Sequence, residues 1–436
     1  MREGSPSPCT VAGAGTGDGV DPARRSQSES ARRGPRVFSS GLCNAPILAP
    51  PHLRHTPLAM ERPLYHAARA IAGRLEAHFA RRGERLEPGA ASGLEPDAAV
   101  VEALVDAAFW ASLQREEGYA PEISLAFLPP DRAVHPLRLA SPLPLGPRAL
   151  ARLAPAVERP GIHLGVWPAE GGLAVWGTTR EVPRFCFVVE VLGPGLLVVK
   201  HRVREDSAKF HNVAVLEGDE IKLLAPPGPE VTEHSPLLQT LVDPELSDST
   251  EEADDVLLRV AVSMRAHQRG GILLIVPSGT DAWRDSILEP ITYAVSPPFR
   301  ELADLVREAA VKGAAFEKHG DLDRAIDAVA GLTAVDGATV ITDRFELLAF
   351  GAKVGRSRGL PRVEEVMITA PIEGGGAARA TVSQVGGTRH VAGAQFAQDQ
   401  HDAVALVASQ DDRFTLFAWS PRWGMVHAHR LEALLL

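Results

Sequence analysis

The stretch Asp336-Gly337-Ala338-Thr339-Val340-Ile341-Thr342-Asp343-Arg344-Phe345-Glu346-Leu347-Leu348-Ala349-Phe350 holds two apolar β-runs, 338–342 and 345–350, on either side of an Asp-Arg turn. Such a pair predicts a hairpin. Helical patterns precede it. Leu302, Leu305, Val306, Ala309 and Ala310 recur at helical spacing within 299–315, and Ala325, Ile326, Val329 and Leu332 do so within 322–333. Earlier still, 272–276 is an unbroken apolar run of strand length. After the hairpin come a strand near 365–369, a glycine-rich loop at 374–376, a short helical stretch after Arg389, and a last hairpin pairing 403–408 with 414–419. Strands and helices interleaved in this way predict a mixed-sheet α/β domain, expected over 251–436.

Working outward, the acidic stretch 245–255 reads as a solvated linker running into a helix start. Ser249 with Glu252 three residues on makes a capping box, Val256, Leu257, Val260, Ala261 and Met264 form one apolar side, and Gly270-Gly271 stop the helix. Before the linker, 60–244 reads as a separate α+β domain. Two helices open it, about 63–82 and 96–115. Short β-runs follow in pairs: 162–167 with 173–177 around Gly171-Gly172, 184–192 with 196–203 around Gly193-Pro194-Gly195, and 213–216 with 220–224 around Gly218-Asp219. Successive hairpins predict an antiparallel sheet. Residues 1–59 are rich in Ser, Gly, Pro, Ala and Arg without apolar periodicity, and are expected to be disordered or a mis-called extension ahead of Met60.

Composition narrows the class. The chain has 436 residues, enough for two cores, with 45% hydrophobic and 23% charged residues as in ordinary globular protein. A formal charge of −10 gives no reason to expect a nucleic-acid partner. The best apolar stretch, 185–199, is too short for a membrane span and is broken by Glu190, Gly193, Pro194 and Gly195. Cys9, Cys43 and Cys186 show no metal-ligand spacing, so a reducing, cytoplasmic setting is expected. His163, His201 and His211 invite a metal reading, but histidines scattered over hairpins are more often ordinary core or surface residues, and Trp110, Trp167 and Trp176 suit the core more than a ligand cage.

Three short motifs in the second domain carry chemistry. Asp336-Gly337-Ala338 sets a carboxylate at a strand mouth beside a glycine that lets a ligand approach the backbone. Gly386-Gly387-Thr388-Arg389-His390 opens a helix, where free N–H groups, a guanidinium and an imidazole make a phosphate cradle. Ser409-Gln410-Asp411 lies at a strand-to-turn junction. Each alone is also ordinary turn or capping chemistry.

In this order the three resemble the diadenylate cyclase domain, whose markers are Asp-Gly-Ala entering a strand, Gly-Thr-Arg-His-Arg opening a helix and a strand ending in Ser-Glu-Glu. The run 270–275 looks like that family's opening strand, and Asp402-Ala403-Val404 resembles the Asp-Ala before its last hairpin. The first domain, through Phe109-Trp110-Ala111-Ser112-Leu113, Arg159-Pro160-Gly161-Ile162-His163 and Gly195-Leu196-Leu197-Val198-Val199-Lys200, resembles the sensor module called DACNV. The resemblance implies a signal-regulated bacterial enzyme joining two ATP into cyclic di-AMP. It implies Mg²⁺ or Mn²⁺ on Asp336 and catalytic roles for Asp336, Arg389 and His390. Nucleotide contacts would come from Gly337, Ala338, Gly387, Thr388, Arg389, His390 and Ser409. Activity would require a homo-oligomer with two cyclase domains face to face.

The sequence departs from the pattern at two places. Val391 stands where the family has its second arginine, and Gln410 and Asp411 replace the two acids after Ser409. A weakened homologue binding ATP or cyclic di-AMP as a sensor is the alternative, as is an active variant using Arg356 or Arg358.

Overall fold

Among the described residues thirteen of the seventeen strands lie beside a strand that is next to them in sequence; the four exceptions to simple hairpin order decide the architecture. The computed structural model describes residues 63–83, 95–115, 118–203, 210–225, 256–313, 316–411 and 413–436, and the expectations for 1–59 and for the capping box at Ser249 and Glu252 lie outside them. Among the described residues no helix is long and apolar enough to cross a membrane.

The first half is an eight-stranded sheet with helices on one face. Helices α1 (His66–Gly83) and α2 (Ala98–Ser112) arise where apolar residues repeat at helical spacing, and Asp97 caps α2 by accepting from the Val100 amide at 2.8 Å. Strands β1 (Ile123–Phe127), β2 (Leu137–Pro144), β3 (His163–Ala169), β4 (Gly172–Thr179), β5 (Val188–Gly193), β6 (Leu196–Arg202), β7 (Phe210–Glu217) and β8 (Glu220–Leu223) stand in the order β2-β4-β3-β1-β5-β6-β7-β8, with helix α3 (Pro147–Leu153) between β2 and β3. Ile71, Leu75, Phe79, Leu104 and Val105 bury against Leu125, Phe187, Val189 and Leu197 of the sheet. The three expected hairpins form, but the sheet is mixed and not antiparallel throughout, because β1 pairs with β3 in parallel, Leu125 opposite Leu164. Strands β1 and β2 account for the difference: β2 carries Pro142 and Pro144, tolerated because it is an edge strand.

The second half is a nine-stranded mixed sheet with helices on both faces. Its elements are α4 (Val256–Ala266), β9 (Gly271–Val276), β10 (Tyr293–Phe299), α5 (Glu301–Lys312), α6 (His319–Leu332), β11 (Ala338–Thr342), β12 (Leu347–Ala352), β13 (Glu365–Thr369), β14 (Ala378–Thr381), α7 (Val382–Val385), α8 (Thr388–Asp399), β15 (Val404–Ala408), β16 (Phe414–Ser420) and β17 (Met425–Arg430). Their order is β10-β12-β11-β9-β15-β16-β17-β13-β14. The all-buried strand β9 is flanked by β11 in parallel and β15 antiparallel. Its side chains alternate: Leu273 and Ile275 meet α4, α5 and α6, and Leu274 meets the α8 side with Ala394, Phe396 and Phe417.

The two sheets meet. Leu224, just past β8, bridges to Ile372; the Ala225 amide donates to the Pro371 carbonyl at 3.1 Å, and the Glu373 amide to Leu223 at 2.8 Å. Val198 and Val215 bury against Ala433, with Ile372 and Leu436 alongside.

Candidate functional site

The parallel pairing of β9 with β11 brings their first residues, Gly271 and Ala338, to the same end of the sheet, and the antiparallel β15 sets Ala408 opposite Gly271. The residues before β9, before β11 and after β15 therefore share one edge. Asp336 and Gly337 precede β11, and Ser409 and Gln410 follow β15, with Gln410 Nε2 donating to the Arg269 carbonyl at 3.3 Å.

Gly337 is fixed by sterics. Its φ is +122°, and a Cβ there would lie 2.4 Å from the Gly351 carbonyl carbon on β12. Beside it Asp336 points outward, its side chain 94% exposed, with Oδ2 accepting from Lys353 Nζ at 2.5 Å. The same ammonium donates to the Asp336 carbonyl oxygen at 3.2 Å. The Lys353 hydrogen bond and charge, joined by the charge of Arg389, hold the Asp336 carboxyl below the usual carboxylate range.

Helix α8 begins at Thr388 with Gly387 as N-cap, a residue without a side chain to cap the first amides. Thr388 is exposed and Arg389 half-buried. The Arg389 guanidinium crosses Gly270, where φ is +69° and a Cβ would stand 3.1 Å from both Arg389 Nη1 and the Ala408 carbonyl oxygen. A 100° rotation per helical residue turns His390 the other way. Its ring is 1% exposed, packs under Gly386 and edge-on to Phe417, and leaves Nε2 without a hydrogen-bond partner. Burial, with the charges of Arg413 and Arg430, pushes its pKa down to about 4 against the opposing pull of Asp411. His390 thus shapes the Gly386-Gly387 loop from beneath, whereas Arg389 and Thr388 face outward.

The structure gathers Asp336, Gly337, Ala338, Gly387, Thr388, Arg389 and Ser409 around this edge. Val391 packs against the apolar core, so no polar group stands at that position. Arg356 and Arg358 lie elsewhere: the amide of Ser357 between them donates to Asp399 at the far end of α8, about 15 Å along the axis from Arg389. Two basic residues at the edge gave no sequence signal. Lys353 reaches Asp336 only through the β11–β12 pairing, Ala338 opposite Ala352. Arg413 donates to the Val385 carbonyl at 3.4 Å, next to the glycine loop.

Residues 91–180 match the family described as "Probable sensor domain DACNV". Comparison with curated proteins finds no match. The DACNV segment supplies α2, α3 and β1 to β4. Within it Trp176 is a core residue, its Nε1 donating to Leu128 at 2.7 Å, and His163 bonds Ser124 Oγ at 2.7 Å. His201 faces His211 across β6 and β7. Among the described residues no group of three His, Cys, Asp or Glu could hold a metal. Asp336 alone would give a cation one carboxylate, with water filling the remaining positions, a weak site that phosphate oxygens would strengthen in the manner of nucleotide sites.

Proposed function

We propose that this chain is a signal-regulated diadenylate cyclase, which condenses two ATP into cyclic di-AMP and two pyrophosphates. The observation that carries the reading is the convergence of the three motifs on one edge of β11, β9 and β15, with Arg389 near enough for its charge to act on Asp336. In the reaction each ribose 3′-oxygen forms a bond to the α-phosphorus of the other ATP. The bond from that phosphorus to the β-phosphate bridge breaks, pyrophosphate leaves, and the hydroxyl proton passes to water.

A Mg²⁺ or Mn²⁺ held by Asp336 would supply charge that acidifies the 3′-hydroxyl. Asp336, with its lowered pKa, is suited to staying ionised for that task. Arg389, the Thr388 hydroxyl and the uncapped α8 amides would neutralise the triphosphate, the main protein contribution to phosphoryl transfer. Gly337 would let the nucleotide lie against the backbone. Two ATP in mutual attack require two such edges face to face, hence a homo-oligomer. The DACNV segment would supply the sensing, and ATP as substrate fits the cytoplasm.

A second reading, a receptor for ATP or cyclic di-AMP, is favoured by Val391, an apolar residue packed against the core, and by Lys353 already pairing Asp336. Incubating the full chain with ATP and Mn²⁺, with chromatographic detection of cyclic di-AMP, separates the two. Product supports the cyclase; binding of either nucleotide without product supports the receptor; neither refutes both.

A further inference from the structure

Lys353 spends two of its three ammonium protons on Asp336, one on Oδ2 and one on the main-chain oxygen. The pair is open to water, with the lysine side chain 50% and the aspartate 94% exposed. Exposed ion pairs contribute little to stability and exchange partners readily. The Lys353 backbone is nonetheless fixed, because its carbonyl accepts from the Leu288 amide at 2.8 Å and its neighbour Ala352 is held in register with Ala338. A flexible four-carbon arm on an anchored base can swing without disturbing the sheet. Arg389 brings a second positive charge to the same carboxylate, so the three groups together carry one net positive charge, suited to a polyphosphate.

We propose that Lys353 is an exchangeable counter-cation: it neutralises Asp336 while no divalent cation is bound, yields the carboxylate to one that arrives, and then turns its ammonium to the polyphosphate. Divalent cation and lysine compete for one oxygen, whereas lysine and nucleotide cooperate. A residue that merely supports the fold would shift both affinities the same way. The phosphate half rests on the reading of this edge as a nucleotide site; the competition half does not.

The test uses the full chain and two probes, Mn²⁺ alone followed by electron paramagnetic resonance, and ATP in the presence of EDTA followed by calorimetry. Lys353→Met should bind Mn²⁺ about tenfold more tightly than wild type and ATP about tenfold more weakly, the scale of one charge-assisted contact. Lys353→Arg keeps the charge and should restore ATP binding without the Mn²⁺ gain. Unchanged or weaker Mn²⁺ binding in Lys353→Met would overturn the counter-cation role whatever ATP does. Equal ATP affinity in wild type and Lys353→Met would overturn the phosphate role. A wild type that binds no ATP, beside a Mn²⁺ gain in the variant, would overturn the nucleotide reading and the phosphate role and support the competition.

Discussion

The side-chain amide of Asn212, on β7 of the eight-stranded sheet, donates to the carbonyl oxygen of Ala433, beyond the last strand of the nine-stranded sheet, at 3.1 Å. The same nitrogen also reaches the Leu434 and Leu436 oxygens at 3.4 and 3.1 Å. Asn212 is buried, so removing its amide leaves carbonyls without a partner away from water. That loss costs roughly 1–3 kcal/mol. Asn212→Leu should therefore unfold at a temperature several degrees lower, still in a single transition by circular dichroism. An unchanged midpoint would mean that this junction contributes nothing to the stability of residues 62–436.

Gly270 controls where Arg389 lies. Gly270→Ala would strain a backbone at φ +69° and push a methyl against the guanidinium and the Ala408 carbonyl. If Arg389 meets phosphate, Arg389→Ala should lose roughly 1.5–3 kcal/mol of ATP binding, the range for hydrogen bonds to charged groups, and leave adenosine binding nearly unchanged. Gly270→Ala should reproduce that selectivity in weaker form. Equal loss for ATP and adenosine in both variants would place the damage in the fold.

Much of this edge was legible because its motifs are local. Each pairs a glycine with a polar residue within a few positions, and strand patterning placed them at strand or helix starts. Pairing across the sheet was not legible. Lys353 follows Asp336 by a whole hairpin, and nothing in its neighbours marks it. The inward turn of His390 follows from helical rotation combined with which face of α8 is buried, and Phe396 and Ala397 gave no warning for the first turn. The strands that escaped the sequence have physical reasons. Pro297 and Pro298 disguise β10, at the sheet edge, and it takes Phe299 from the helix expected at 299–315, leaving α5 as Glu301–Lys312. In β17 the inward positions include His427 and His429, which contact Thr369 Oγ1 at 2.9 and 3.3 Å and so do not read as apolar alternation.

Acid should destabilise the fold in a defined window. His163, through burial and the charges of Lys200 and Arg202, has its pKa pushed down to about 4, as does His390 through burial and the charges of Arg413 and Arg430. Unfolded imidazoles titrate near 6.5, so between about pH 6.5 and 4 the unfolded chain binds protons that the native chain refuses. Stability then falls as pH falls, by at most roughly 1.4 kcal/mol per unit for each histidine. The melting midpoint should drop steadily from pH 6.5 to 4.5. His163→Asn and His390→Gln should each flatten that slope, even though each lowers the midpoint at neutral pH. Parallel slopes in wild type and variants would show that neither imidazole is held neutral.

Asp336 separates enzyme from receptor. Asp336→Asn removes the charge while nearly preserving shape, and frees Lys353 from its partner. Contacts to the triphosphate through Thr388, Arg389 and the α8 amides would remain, so ATP should bind within about tenfold of wild type, roughly 1.4 kcal/mol. The ionised carboxylate matters most where the 3′-oxygen gains negative charge, which is in the transition state. Cyclic di-AMP synthesis should accordingly fall by about two orders of magnitude or more at saturating ATP, a loss in kcat with little change in binding. The fall should persist at high Mn²⁺, because added cation cannot replace the oxygen that positions it. Full synthesis by the Asn variant would remove Asp336 from the reaction, and with it the strongest link between this sheet edge and cyclase chemistry. A wild type that binds ATP yet makes no product would leave Asp336 and Lys353 as a charge pair in a receptor.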